Sequence, residues 1–205
     1  MYTGTGEFED IGQIAAWNFN TTVNNTYPFE CSKLSGSAGE FFSPNREKTF
    51  ADFFTPDVCR TISFIYENTV DVKGIKGYRH ILDDSFVGNS TYYPENWCYN
   101  PYPATMTSDF YLPNGLLNVS ACKFGSPAYV SYPHFYMADP ILIDSLHSES
   151  DLHPSQESHE SSLTLEPSMG IPLEVNVRLQ INGLLRDFFM EIVDAVGNPQ
   201  NMTCE

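Results

Sequence analysis

The sequence predicts a mainly β protein with short helices, and three observations lead there. Leu173, Val175, Val177, Leu179 and Ile181 alternate strictly with Glu174, Asn176, Arg178, Gln180 and Asn182, the period of two that gives a strand one apolar face. Fifteen Phe and twelve Tyr supply broad side chains that pack well on a pleated surface. Thr61–Tyr66 and Gly77–Leu82 read as two further strands, joined through Val70-Asp-Val-Lys-Gly74.

Taken in order, residues 1–30 are rich in Gly, Thr and Asn and read as strand ends and loops, with Trp17 the one large anchor. Asn45–Phe54 predicts a short helix that groups Phe50, Phe53 and Phe54 on one face. Residues 88–115 have no usable period and read as loop. Ala128–Phe135 predicts a strand, and Pro133 makes it an edge or an end. Ser145–Ser162 is polar, acidic and Ser-rich and reads as a solvated loop. Residues 162–182 then predict a β-hairpin with one buried apolar face, turned by Pro167-Ser-Met-Gly170. Its register should be firm, because a slip by one residue exposes the whole apolar set. Beyond Gly183, Leu184, Leu185, Phe188, Phe189, Ile192, Val193 and Val196 recur at helical spacing, ending at Gly197. Residues 1–182 therefore form the body, and 183–205 a helical tail.

The formal net charge is −16, with only ten Lys and Arg. A surface of that balance repels phosphate backbones and anionic headgroups, which argues against nucleic acid and against direct docking to a bilayer. Cysteines stand at 31, 59, 98, 122 and 204. None forms a C-x-x-C pair or a Cys/His spacing suited to zinc, so disulfides are the better reading. The first four cysteines allow three pairings, with Cys204 left over. Closing a loop as long as Cys31 to Cys98 stabilises by roughly 4 kcal/mol in the chain-entropy model.

Five glycosylation acceptors accompany them: Asn20, Asn24, Asn89, Asn118 and Asn201. One or two would arise by chance, yet the set, with cysteines, points to an oxidising, glycosylating compartment. The amino terminus has neither the basic nor the apolar region of a signal peptide, and no run of eighteen apolar residues occurs. A piece of a longer protein reconciles these features.

No G-x-S-x-G elbow, phosphate loop or H-E-x-x-H sequence is present, so no catalytic residue, cofactor or metal is expected. His147, His153 and His159 lie among Glu149, Asp151, Glu157 and Glu160, but in a Ser-rich stretch with nothing to fix ligand geometry. His134 reads as a hydrogen-bonded structural histidine.

Four blocks carry a resemblance: Phe54–Arg60, Lys73–Arg79, Leu117–Phe135, and Leu165–Pro172 followed by Arg178–Asn182. In this order and spacing they resemble the class B scavenger receptor family, whose branches include fatty-acid translocase, lysosomal integral membrane, croquemort and sensory-neuron types. The resemblance implies the second half of a large antiparallel, β-barrel-like glycosylated ectodomain held between two membrane helices. It implies binding of lipids, fatty acids, lipoprotein particles or apoptotic cells, with lipid passing through an internal tunnel. The setting is then the plasma membrane. A lysosomal receptor with a hydrolase partner and a non-functional truncated product are the alternatives. The same resemblance pairs Cys31 with Cys98 and Cys59 with Cys122. A third bridge common in the family is missing, since Asn100 stands where its first cysteine would be.

Overall fold

The computed structural model describes residues 1–23, 26–99, 112–144, 146 and 151–183 of the 205-residue chain. It is mainly β with two short α-helices. Two compact units are present: residues 1–86 with 160–178, and the described parts of 87–159 with 179–183.

The first unit is built on a five-stranded antiparallel sheet that curls into a half-barrel. Its strands are β1 (Phe50–Thr55), β2 (Arg60–Val72), β3 (Ile75–Leu82), β6 (Ser162–Leu165) and β7 (Pro172–Asn176), in that spatial order. The long hairpin β2–β3 closes in two residues, Lys73 and Gly74, both at positive φ (54° and 85°). That geometry matches the right-handed twist of the flanking strands. The Asp71 carboxylate tightens the turn by accepting the Gly74 N–H at 2.8 Å. The two strands expected at 61–66 and 77–82 are therefore real, and longer than the apolar pattern alone indicates.

Phe42, Ala51, Ile62, Phe64, Leu82, Leu163 and Leu165 form the buried core of this sheet. Full burial of side chains such as Phe64 and Leu165 contributes about 1.5–3 kcal/mol each.

The helix expected at Asn45–Phe54 is not formed. Residues 50–55 pair with β2 in the register Phe50↔Ile65 to Thr55↔Arg60. The preceding residues give their donors elsewhere: the Asn45 and Arg46 N–H groups bond to the Ser168 and Pro167 carbonyls at 3.1 and 2.6 Å. Tertiary pairing with the turn between β6 and β7 outweighs a local preference worth only tenths of a kcal/mol per residue.

The hairpin expected at 162–182 is also modified. β6 and β7 do pair around Pro167–Gly170, but regular structure stops at Asn176 and resumes at Gln180 in a different sheet. The apolar alternation is not a buried face: Val175 is 56% and Ile181 78% exposed. β7 is the edge of its sheet; Leu173 is half-buried there, while Val175 and Val177 stay exposed. Alternation identified the strand but not what lies over it.

The second unit holds a three-stranded antiparallel sheet of β4 (Leu117–Asn118), β5 (Ala128–Ser131) and β8 (Gln180–Gly183). β5 ends two residues before Pro133, which cannot donate to a ladder. Leu117 and Val130 are buried on this sheet, and Phe135 and Leu142 make a further buried cluster, the latter on α1 (Pro140–Asp144), with Leu116, Ile141, Leu146 and Leu152 packed around them. The stretch read as solvated loop holds one helical turn, α2 (Gln156–His159), and gives way to β6 at Ser162. Within 88–115, Pro94–Cys98 is a 3-10 turn. The helix expected after Gly183 lies outside the described residues.

Candidate functional site

The register of the curled sheet brings one set of side chains to a common face. Ala51, Phe64 and Leu82 lie opposite one another across β1, β2 and β3, and Tyr66, His80 and Leu163 do so across β2, β3 and β6. Side chains alternate, so Phe53, Ile62, Tyr78 and Leu165 share this face. The Phe53 and Phe64 rings stack with centroids 5.8 Å apart. Tyr66 meets Tyr78 edge-on at 5.6 Å and His80 at 5.9 Å. Such pairs add about 0.5–1.5 kcal/mol beyond area burial. The face passes from aliphatic at Ile62 and Leu165 to aromatic at Tyr66 and Tyr78, and there it becomes cationic.

Lys48 supplies part of that charge. The Tyr66 N–H bonds to the Thr49 carbonyl at 3.0 Å, which carries the segment before β1 alongside β2. Lys48 Nζ then lies 5.3 Å from the Tyr66 ring centre and 5.6 Å from that of Tyr78, while Lys76 Nζ is 5.9 Å from Tyr78. These separations fall within cation–π range. The Tyr66 hydroxyl titrates below the ordinary phenol range, chiefly through its bond to Thr69, with Lys48 and Lys76 reinforcing it. Arg79 faces the other way, bridging Glu67 and Glu160, the latter at 2.8 Å. A bulge between Tyr66 and Asn68 sets Glu67 apart from the regular register.

His80 is 0% exposed. Its Nδ1 lies 3.0 Å from the Tyr78 carbonyl, while Nε2 has no partner within bonding geometry. Burial holds the imidazole below its ordinary range; the Tyr78 carbonyl opposes this and the Arg46 charge reinforces it. Arg46 Nε and Asp52 Oδ1 are likewise buried without a hydrogen-bond partner. An open groove of about 850 Å³ lies elsewhere in this unit, lined by Glu9, Asp10, Gln13, Ser43, Asn45 and Arg46 among others. Its lining is polar, unlike the sheet face.

Cys31, Cys59, Cys98 and Cys122 are all disulfide-bonded. Asn20 is exposed, and its Nδ2 donates to the Asn18 carbonyl at 3.0 Å. Asn118 is half-buried on β4, its Oδ1 accepting the Ser120 N–H at 2.9 Å. Asn89 is only 7% exposed, with Nδ2 donating to the Leu112 carbonyl at 2.8 Å and Oδ1 accepting from Thr91 and Tyr92. Asn24, Asn201 and Cys204 lie outside the described residues.

The described histidines of the acidic stretch do not converge. His153 pairs with Asp151 at 2.6 Å, and the His159 ring stacks on that of His134 at 4.5 Å. Both stacked rings accept backbone hydrogen bonds at Nδ1, His134 from His153 and His159 from Ser155. Among the described residues no group of three His, Cys, Asp or Glu is placed to hold a metal. His147 and Glu149 are outside the described residues. Trp17, expected as the one large anchor of residues 1–30, keeps its ring 6.0 Å from Phe54 and is 41% exposed.

Sequence reasoning placed Lys73–Arg79 in a resemblance block without assigning it a role. The juxtaposition of Lys48 with Tyr66 and Tyr78 comes from strand pairing and has no signature in linear spacing. The alternation Lys76-x-Tyr78-x-His80 was the one available signal.

A model of the CD36 family matches residues 1–201. Among curated relatives, Protein peste of Drosophila melanogaster is 35% identical over 147 residues, covering 71% of this chain and 25% of that protein. Scavenger receptor class B member 1 of Rattus norvegicus is 31% identical over 147 residues, covering 71% and 27%. Lysosome membrane protein 2 of Mus musculus is 28% identical over 150 residues, covering 70% and 29%. The matched region thus spans between a quarter and a third of each of these relatives.

Proposed function

The chain belongs to the CD36 family, and from that premise we propose that it is part of a membrane-anchored glycoprotein receptor whose ectodomain binds lipids and passes them through an enclosed apolar path. The observation that carries this reading is the curled sheet face from Ile62 and Phe64 to Tyr66 and Tyr78. A concave antiparallel sheet lined by apolar and aromatic side chains is the kind of wall that shelters acyl chains once a barrel closes. The apolar row Leu173, Val175 and Val177 on and just beyond β7 supports the same idea, because it supplies further surface for an enclosure.

On this reading the receptor has no catalytic role and takes no cofactor. Its partners are fatty acids, other lipids or lipoprotein particles, and its setting is the plasma membrane. No helix among the described residues is long and apolar enough to cross a membrane, so anchoring is assigned to parts of the receptor other than these. The similarity to Lysosome membrane protein 2 supports a second reading, a lysosomal receptor with a protein partner. Localising the tagged full-length receptor in cells separates the two: surface staining favours the first, and confinement to lysosomes the second.

The test of lipid binding is a titration of the full ectodomain with a fluorescent fatty acid. Saturable binding in the micromolar range is expected, and a linear, unsaturable response would remove the reading.

A further inference from the structure

We propose that Trp17 is the platform on which the first sugar of an Asn20-linked glycan packs, so that glycosylation itself stabilises the amino-terminal hairpin of the first unit. The group it takes is a β-linked N-acetylglucosamine. The proposal rests on the glycoprotein reading above and is independent of lipid binding.

The hairpin brings the two side chains together. Trp17 and Asn20 exchange both backbone hydrogen bonds, at 2.8 and 3.0 Å, across the two-residue turn Asn18-Phe19. Residues so opposed project to the same side of a hairpin, with Cβ atoms about 5 Å apart. The acceptor is held ready, because Asn20 Nδ2 donates one hydrogen to the Asn18 carbonyl at 3.0 Å. An N-linked asparagine keeps one N–H, so attachment replaces the other hydrogen and leaves this bond intact. Thr22, which completes the sequon, is fixed by its bridge to Lys33.

The protein builds half of the platform. The Trp17 ring meets Phe54, a buried residue of β1, at a centroid distance of 6.0 Å, yet stays 41% exposed. N-acetylglucosamine presents axial C–H groups on its flat faces, and these suit the negative face of an indole while its hydroxyls stay in water. Sugar over that ring links the glycan through Phe54 to the sheet. The hairpin itself is weak. Asn18 and Phe19 both hold positive φ, 47° and 64°. Asn suits the first of these positions, but the second favours Gly, and Phe19 is 103% exposed. A strained turn closed by one bridge pair is marginal alone, so a further contact there has a large effect. Phe19 lies within the turn rather than opposite the acceptor, which makes it the natural control.

A double-mutant cycle tests this on the full chain secreted from eukaryotic cells, with every glycan trimmed to its first N-acetylglucosamine. Asn20→Gln removes the sugar, and Trp17→Leu removes the ring while keeping an apolar contact for Phe54. In denaturation, Asn20→Gln is expected to lower the folded-to-unfolded ratio about fivefold more with Trp17 present than in the Trp17→Leu background. Loss of the Asn18 bond is common to both arms and cancels. Phe19→Ala leaves the coupling unchanged. A second readout needs only folded protein: with Trp97→Phe removing the other of the two Trp, acrylamide quenches Trp17 less when the sugar is present than in Asn20→Gln. Equal cost of Asn20→Gln in both backgrounds, loss of the coupling in Phe19→Ala, or equal quenching would each overturn the proposal. A chain bare at Asn20 but glycosylated elsewhere overturns it alone, whereas one bare at every acceptor removes the glycoprotein reading with it.

Discussion

Phe42 and Gly170 meet backbone to backbone in the first unit. The Phe42 N–H donates to the Gly170 carbonyl at 3.0 Å, and Gly170 stands at φ +67° with no room for a Cβ against the Phe42 carbonyl. The contact ties the segment before β1 to the turn between β6 and β7. It joins parts of the chain far apart in sequence, and it sets the path that delivers Lys48 to Tyr66.

Gly170→Ala is accordingly expected to destabilise the chain by about 1–3 kcal/mol, from the left-handed backbone together with the overlap. Chemical denaturation checks this. A midpoint within error of the unchanged protein would show that the 42–46 segment is not anchored there.

Stability should also fall in mild acid, and His80 sets the sign. Its folded-state imidazole titrates below the ordinary value because it is buried. As pH drops below about 6.5 the unfolded chain takes up a proton that the folded chain resists. Stability is therefore full above that pH and declines as pH falls toward the lowered folded value. His80→Leu is expected to flatten this part of the profile, measured by denaturation between about pH 7.5 and pH 5.5. An unchanged slope in the variant would assign the acid sensitivity to other groups.

Glycan occupancy should divide the sequons. Asn20 is exposed, whereas the Asn89 amide is buried and donates to Leu112. Mass spectrometry of material secreted from eukaryotic cells is expected to find a glycan at Asn20 and none at Asn89. Asn89→Gln should weaken folding through loss of the Leu112 bond and the Thr91 and Tyr92 caps, by about 1–3 kcal/mol. A fully occupied Asn89 would require a different arrangement of residues 88–92 against Leu112.

Peptide mapping without reduction tests the cross-links. All four cysteines are bonded, and the proposed pairs are Cys31–Cys98 and Cys59–Cys122. Recovery of a Cys31–Cys59 peptide would contradict this connectivity.

The sequence disclosed the strands wherever one physical signal dominated. The β2–β3 hairpin was legible because apolar runs flank a Gly-containing turn, and β6 and β7 because alternation is strict. Asn45–Phe54 was misread because its aromatic spacing suits a helix, whereas its partners, Pro167 and Ser168, lie more than a hundred residues away in sequence. Alternation in 173–182 promised a buried face, but period alone does not say whether anything packs on it, and Val175 and Ile181 stay exposed. The four bonded cysteines were readable from composition and compartment. The Lys48–Tyr66–Tyr78–Lys76 cluster was not, since it is created by register between three separate segments.

The central claim is that this curled sheet is one wall of a lipid-holding ectodomain, and a substitution on its face tests that most directly. Fluorescent fatty acid is titrated into the full ectodomain carrying Tyr66→Asp, with circular dichroism confirming the fold. The account predicts micromolar saturation for the unchanged protein and a tenfold or greater loss for the variant, as expected when an aromatic ring of the binding face is replaced by a carboxylate that an acyl chain cannot pack against. Equal, saturable binding by both would place the lipid path elsewhere.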